Sequence, residues 1–509
     1  MTTKMELVGS IPNVSLVLNL QSILIGLFTL LVLFYMIRRP RNLPPGPIGW
    51  PLLGYLPQMA MAGQEPQVEF SRLTKIYGNV VSVNIAGKLF VFLHGYDTIK
   101  EAFSQHQLNA RPTLHVRGEM FPGSGVISSS GKTWSELRRF CTTVLRGLGV
   151  GKRSFEENIA TEAHVLITEM RKEQGAPFDP KYLLGNAVLN IICSVVLGKR
   201  FQYNDPAFRD ILRCTGRVME GVRSGGIVEF SPVVSKLTVI PFVRRYVDTV
   251  SELVEQMLSL IDEHNRDYDS AANPRDIIDM FLKEINSKQS LGVESGAIKI
   301  ENLRPVVGDL FVAGSETTNT TLRWSMLYMM AYPDVQHRVQ KELDDVTLGN
   351  RLPKTTDKPK LPYTEAVLCE IQRCSTIVPL AVPHYSSEDT TLSGFNIPKG
   401  TIVISNLWHQ HHDPLVWEQP DKFLPERFLD KDGNFSCPRE FTPFGIGRRI
   451  CLGEHLAKME LFIFFTFLLH QFTLKNPPGA PPVSFKGIAG GTWAPLDFKL
   501  CAVQRNLPT

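Results

Sequence analysis

Crosslinking chemistry is scarce in this chain. Its eight cysteines, at 141, 193, 214, 369, 374, 437, 451 and 501, form no C-x-x-C pair and no dense cluster. That excludes a disulfide framework and a zinc ribbon, and fits reduced thiols in a cytosol-facing protein. Charge imbalance is scarce too. Fifty-four Lys and Arg against 50 Asp and Glu leave 509 residues at a formal +4, which argues against a nucleic-acid binder with a wholly basic surface. Gly (38) and Pro (35) are too few for a collagen-like or linker-dominated chain. With 43% hydrophobic and 20% charged residues, disorder is excluded as well. No internal repeat stands out, and no G-x-G-x-x-G follows a strand signal, so a dinucleotide-binding fingerprint is missing.

One absence is local. Between Glu6 and Arg38 there is no charged residue. Residues 16–37 are mostly Leu, Ile, Val and Phe, and as a helix they would span roughly 33 Å, enough to cross a bilayer. The run ends in Arg38, Arg39 and Arg41 rather than a small-residue cleavage site, so an uncleaved anchor is expected. The positive-inside rule then places residues 1–15 in the lumen and the remainder in the cytosol. Residues 38–51 hold Pro40, Pro44, Pro45, Pro47 and Pro51 and read as a stiff, basic, Pro-rich hinge. Residues 52–509 are expected to form one cytosolic domain, since no later linker is long enough to divide them.

Within that domain, residues 77–95 alternate apolar and polar side chains around a Gly-Lys turn and read as a hairpin. Residues 154–332 are helical in period, interrupted by a polar loop expected at 286–296. Strand signals return at 390–405 and 495–503. The fold class is mainly α, α-rich α+β: one large helical body with small β-sheets, preceded by a single transmembrane helix.

One cysteine differs from the others. Residues 441–453 read FTPFGIGRRICLG and lead into EHLAKMELFIFFTFLLHQ, a helical segment. Gly445, Gly447 and Gly453 let the backbone around Cys451 fold tightly against a flat ligand. The helix start, with Arg448 and Arg449, is expected to lower the thiol pKa and favour a metal-ligating thiolate. The spacing Phe444-x-x-Gly447-x-Arg449-x-Cys451-x-Gly453 resembles the haem-ligand signature of the cytochrome P450 superfamily, the haem-thiolate monooxygenases. The resemblance runs from PPGP at 44–47 to GGTWAPLDF at 490–498 and is nearest the animal microsomal family 2. The run VPLAVPHYSSEDTTLSGFNIPKGTIVISNLW is similar to subfamily U, associated with long-chain fatty acid hydroxylation.

The resemblance implies roles for further residues. Cys451 would be the axial ligand of haem b (iron protoporphyrin IX). Trp134 and Arg138, matching a W-x-x-x-R motif, would bind its propionates with Arg449, Arg111 and His384. Glu370-x-x-Arg373 and Arg427, in PERF, would form a buried charge network under the cysteine loop. Ala313 and Gly314 are small and would leave room for O2 and substrate, while Glu316 and Thr317 resemble the acid-alcohol pair that relays protons. Residues 132–153 carry six bases against one acid; Arg139, Arg146, Lys152 and Arg153 are expected to dock an NADPH-dependent flavoprotein reductase, with cytochrome b5 as a second partner. NADPH thus acts indirectly. The membrane implied is the endoplasmic reticulum, and the substrate is lipophilic: a long-chain fatty acid is favoured over a steroid or xenobiotic. A haem-thiolate isomerase or dehydratase, or a haem sensor, is disfavoured by Glu316-Thr317. His409, His411 and His412 read as structural or exposed, not as a zinc site.

Overall fold

The computed structural model describes residues 25–30, 42–63, 65–120, 123–150, 153–230 and 232–506, without the side chains of 153–154 and 223–227. Most of the expected anchor lies outside these residues; 25–30 are helical. Among the described residues no helix is long and apolar enough to cross a membrane.

The first layer is a small sheet. After α1 (Leu56–Met61) and α2 (Pro66–Tyr77), β1 (Val80–Ile85) and β2 (Lys88–Leu93) pair antiparallel. Ala86 and Gly87 close the hairpin at φ 49° and 80°, the left-handed pair that a two-residue turn requires. The sheet order is β1-β2-β6-β3, so β3 (His384–Tyr385) and β6 (Ile402–Ser405) return from far along the chain. β6 joins β2 in parallel. Between them β4 (Thr390–Leu392) and β5 (Phe395–Ile397) make a separate hairpin. The Pro-rich segment is no free spacer: Pro45 C=O accepts from Ser82 N–H at 2.8 Å and Pro44 C=O from the Ser82 hydroxyl at 2.5 Å, docking it along β1.

Helices make the body. They are α3 (Tyr96–Ser104), α4 (His115–Met120), α5 (Gly131–Gly147), α6 (Arg153–Lys172), α7 (Lys181–Val196), α8 (Pro206–Phe230), α9 (Pro241–Arg266), α10 (Ile277–Ser290), α11 (Ile300–Ala331), α12 (Pro333–Thr347), α13 (Pro362–Ser375), α14 (Leu407–His412) and α15 (Glu454–Gln471). α10 continues through Ser290, so the polar loop expected from 286 begins only at 291. Its amphipathic face, with Phe281 and Ile285 buried, outweighs the polar composition of its last turn. α11 is buried without interruption from Thr318 to Met330. α15 is buried from Met459 to His470, with apolar side chains on every face and Glu460 enclosed among them, as a helix in the middle of a core is. The C-terminal part adds β7 (Phe472–Lys475), β8 (Gly487–Ile488), β9 (Ala494–Pro495) and β10 (Cys501–Gln504) in two two-stranded sheets.

Candidate functional site

The loop before α15 is held in one shape. Gly445 and Gly447 both take φ 81°, closed to most side chains. A Cβ on Gly447 would stand 2.9 Å from the Phe103 carbonyl oxygen. Cys451 N–H donates to Phe444 C=O at 3.0 Å, and Arg138 Nη2 reaches Ile450 C=O at 2.7 Å, tying α5 to the loop. Gly453 N–H bonds to the sulfur. Burial pushes the Cys451 thiol up, against the lowering expected; Gly453 N–H and Arg138 oppose the rise. Arg448 and Arg449 face elsewhere, 5.7 and 4.0 Å from the Trp134 ring.

Cys451 is nevertheless exposed, as is Ala313 on α11, although Phe311 and Ser315 beside it are buried. An exposed thiol that protein encloses on nearly every side borders an internal recess, and an exposed alanine in an otherwise mostly buried helix points to the same one. Its rim is the 123–130 loop, pinned to α11 by Ile127 N–H on Asp309 Oδ2 at 2.7 Å. The same loop meets the cysteine side through Arg449, which donates to Ser129 C=O at 2.6 Å and Val126 C=O at 3.4 Å.

Arg111, Arg138 and Arg449 gather at this recess, and none of them pairs with a described carboxylate. Arg449 also donates to Asn109 C=O at 2.9 Å. Arg111 donates to Val382 and Pro383 C=O at 2.7 and 2.8 Å, just before His384. Burial lowers Arg111 to about 9, helped by Arg138. Burial likewise lowers Arg449 to about 9, with Arg111, Arg138 and Arg448 adding to it. His384 stacks on Phe103 at 3.8 Å and sits 2.7 Å from Leu108 C=O through Nδ1. Burial and then Arg111 hold its ring well below the usual range, so it is neutral and its free Nε2 is an acceptor. No ion pair to a described carboxylate involves Arg111, Arg138 or Arg449, and among the described residues the buried Nε1 of Trp134 and Nε of Arg111 find no hydrogen-bond partner.

The central helix divides its small and polar residues between two sides. Ala313 faces the recess, but Gly314 does not: a Cβ there would meet Ile192 Cδ1 of α7 at 2.2 Å. Its smallness serves close helix packing rather than room for a ligand. Thr317 Oγ1 donates to Ala313 C=O at 2.8 Å. Glu316 turns away, accepting from Thr320 Oγ1 at 3.2 Å, and lines a separate cleft of about 250 Å³ with Lys181, Glu220, Asn319, Arg323 and Thr492. Burial pushes its carboxyl up.

Beneath the loop, Glu370 and Arg373 are 0% exposed. Arg373 donates from Nε and Nη2 to the two carboxylate oxygens at 2.7 and 2.8 Å. Glu370 Oε1 also takes Leu424 N–H at 2.8 Å and Arg427 Nε at 3.3 Å. Arg373 Nη1 continues to His411 C=O at 2.7 Å. His411 Nε2 accepts from Thr442 N–H at 3.2 Å, so the network enters the cysteine loop there. Nδ1 then carries the proton toward Thr376 Oγ1, 3.0 Å away. His411 is a connector that spacing did not single out; burial, then His412 and Arg373, keep it neutral. His409 and His412 are structural too, on Ser71 and on Trp408 C=O. On the outer face of α5, Arg139 and Arg146 are exposed; Lys152 and the Arg153 side chain lie outside the described residues.

A flat dianionic metallocycle fits this donor set. It would answer the unpaired guanidiniums, the orphaned indole N–H and Arg111 Nε, and would fill the recess between Ala313 and the one thiol at its wall. Fold and site together define a haem-thiolate protein. A cytochrome P450 family model matches residues 44–502. Cytochrome P450 2J3 of Rattus norvegicus is 40% identical over 99% of this chain and 100% of its own length. Cytochrome P450 2J2 of Homo sapiens is 40% identical over 92% of each chain, and cytochrome P450 2U1 of Bos taurus 37% identical over 91% of this chain and 90% of its own. The chain belongs to the cytochrome P450 family and is a family 2 monooxygenase, an oxidoreductase using O2 on a lipophilic substrate.

Proposed function

We propose that this protein is a membrane-anchored monooxygenase that hydroxylates long-chain fatty acids with electrons from NADPH passed through a flavoprotein reductase. The observation that carries the haem assignment is the recess itself, with one thiol at its wall and a ring of cations that no described carboxylate answers. Cys451 would ligate the iron, and the bound haem supplies oxygen activation. Arg111, Trp134, Arg138 and Arg449 would hold the two propionates. His384 can join them only as imidazolium, a form that an anion between Arg111 and Arg449 would restore. Phe444, Gly447 and Gly453 shape the loop against the macrocycle, and Glu370, Arg373 and Arg427 hold it from below.

On the opposite side Ala313 leaves space, and Thr317 Oγ1 can pass a proton into the recess. Glu316 takes protons from the cleft on the far face of α11. Its hand-over to Thr317 requires a rotamer change, because the carboxyl is engaged with Thr320. Arg139, Arg146, Lys152 and Arg153 would receive an acidic reductase, with cytochrome b5 as a second donor. Residues 16–37 would anchor the chain in the endoplasmic reticulum membrane, residues 1–15 lumenal. The preference for fatty acids over steroids or xenobiotics rests on the likeness of residues 378–408 to subfamily U.

The reduced carbon-monoxide complex tests the haem assignment: a red-displaced band in the wild type, lost in Cys451→Ser, is expected. NADPH consumption with reconstituted reductase then tests the reaction. A substrate-binding titration against fatty acids, steroids and drugs tests the substrate.

A further inference from the structure

Away from the recess, three side chains able to ligate a metal converge where α7, α9 and α10 meet. His264 lies in the last turn of α9, Asp276 is the N-cap of α10, and Asp279 lies in its first turn. All three are buried. His264 Nε2 is 2.9 Å from Asp279 Oδ1 and 3.3 Å from Asp276 Oδ2, and the three atoms fall within 4.8 Å of one another. Ligand atoms about 2.0–2.2 Å from a tetrahedral zinc ion stand roughly 3.3–3.5 Å apart. The spacing found here is close to that.

Local structure accounts for only part of the cluster. Asp276 Oδ1 accepts Asp279 N–H at 3.0 Å, an ordinary helix cap. Asp279 Oδ2 takes the N–H and Nε of Arg275 at 3.0 and 2.8 Å. Asp276 Oδ2 is left over. Its residue is 0% exposed, the oxygen finds no hydrogen-bond partner among the described residues, and it stands against the imidazole. Gly198, just past the end of α7, leaves it that place: a Cβ there would stand 2.8 Å from the oxygen. A carboxylate oxygen stranded at this depth is costly and calls for a cation. His264 Nδ1 is also without a described partner, so nothing holds the ring in the tautomer that keeps a proton on Nε2.

Arg275 is the one open member of the group. Its Nη2 lies 3.2 Å from Asp279 Oδ1 and 3.5 Å from His264 Nε2, and 46% of its side chain is exposed. We infer that His264, Asp276 and Asp279 form a binding site for a divalent transition-metal cation of the zinc type, entered by turning the Arg275 guanidinium toward solvent. Water would complete the tetrahedron on that side. One nitrogen and two carboxylates suit zinc rather than Mg²⁺ or Ca²⁺, which take oxygen ligands. The bound ion would join the end of α9 to the start of α10 across the 267–275 connection, a structural role separate from the haem chemistry.

The experiment is metal analysis of the haem-loaded full chain, stripped with a chelator and dialysed against buffered Zn²⁺. The wild type should take up one zinc per chain beside the haem iron. X-ray absorption at the zinc edge should show nitrogen and oxygen neighbours without sulfur, and excess Mg²⁺ should not displace the ion. His264→Gln and Asp276→Asn should each weaken zinc binding at least about tenfold and lose the zinc-dependent rise in melting temperature. Arg275→Gln should bind zinc at least about tenfold more tightly, because a like charge is removed from beside the ion. A wild type that takes up no zinc, sulfur among the neighbours, or displacement by Mg²⁺ overturns the site. So does unchanged affinity in His264→Gln with the carbon-monoxide band intact. If both buried variants fail to fold, Arg275→Gln decides, and an affinity equal to or weaker than the wild type overturns the inference.

Discussion

The two sides of the recess are built on opposite terms. Below Cys451, the Glu370–Arg373 network leaves little unsatisfied: Arg373 has bonds to Glu370, His411 and Lys422, and Glu370 takes further donors from Leu424 and Arg427. Around the recess itself, Arg111 and Trp134 carry buried donors with no partner among the described residues, and Ala313 is exposed in the middle of a helix. A closed network resists change because removing one member strands the rest in low dielectric. An open one stores binding capacity, since its donors are desolvated in advance of the ligand. The difference separates a scaffold from a site.

The largest effect expected from breaking this contrast is at its centre. Cys451→Ser should abolish the red-displaced band completely, and a variant that keeps it would show that another residue ligates the iron. Glu370→Ala comes next. Stranding Arg373 should cost about 3–5 kcal/mol, read as loss of folded holoprotein in thermal melts, whereas Trp134→Phe on the open side should leave the melt of haem-free protein nearly unchanged. Third, Glu316→Gln and Thr317→Ala should lower the hydroxylation rate by about 10²-fold, the usual scale for losing a general acid. Haem binding should stay intact in both.

A subtler test uses pH. Glu460, on α15, is pushed up to about 8 by burial, against a bond from Thr318 that lowers it. Folded protein therefore keeps a proton that unfolded chain releases above the ordinary carboxylate range, so stability should fall as pH rises toward about 8. Glu460→Gln should flatten that slope in melting temperature; a slope unchanged by the substitution would refute the assignment. Smallest in stability are Arg139→Glu and Arg146→Glu. These exposed changes should shift it by no more than about 0.5 kcal/mol yet slow reductase-driven haem reduction at low salt, an effect that added salt erases.

Much of this was legible in the chain itself, and the exceptions share a cause. The spacing of Glu370 and Arg373 predicts one helical face, and the bidentate pair is there. Trp134 and Arg138 behave the same way on α5. The hairpin follows from alternation and its turn. Gly314 and Glu316 were readable as functional neighbours of Ala313 and Thr317, but one packs on Ile192 and the other opens on a different cleft. Arg448 and Arg449 stand beside Cys451 in the chain and turn instead to Trp134. His411 looked like part of a histidine run and proved to be the link between two networks.

What the amino-acid order determined alone is whatever depends on near neighbours: helical faces, glycine turns, the cysteine signature and, through it, the family. Such features follow from backbone sterics and a fixed rise per residue. Only the tertiary structure decided which side of α11 is open, where the guanidiniums find no carboxylate, and that burial raises the Cys451 thiol. Exposure and desolvation are set by whatever the rest of the chain brings alongside, and that packing is not written in any one segment.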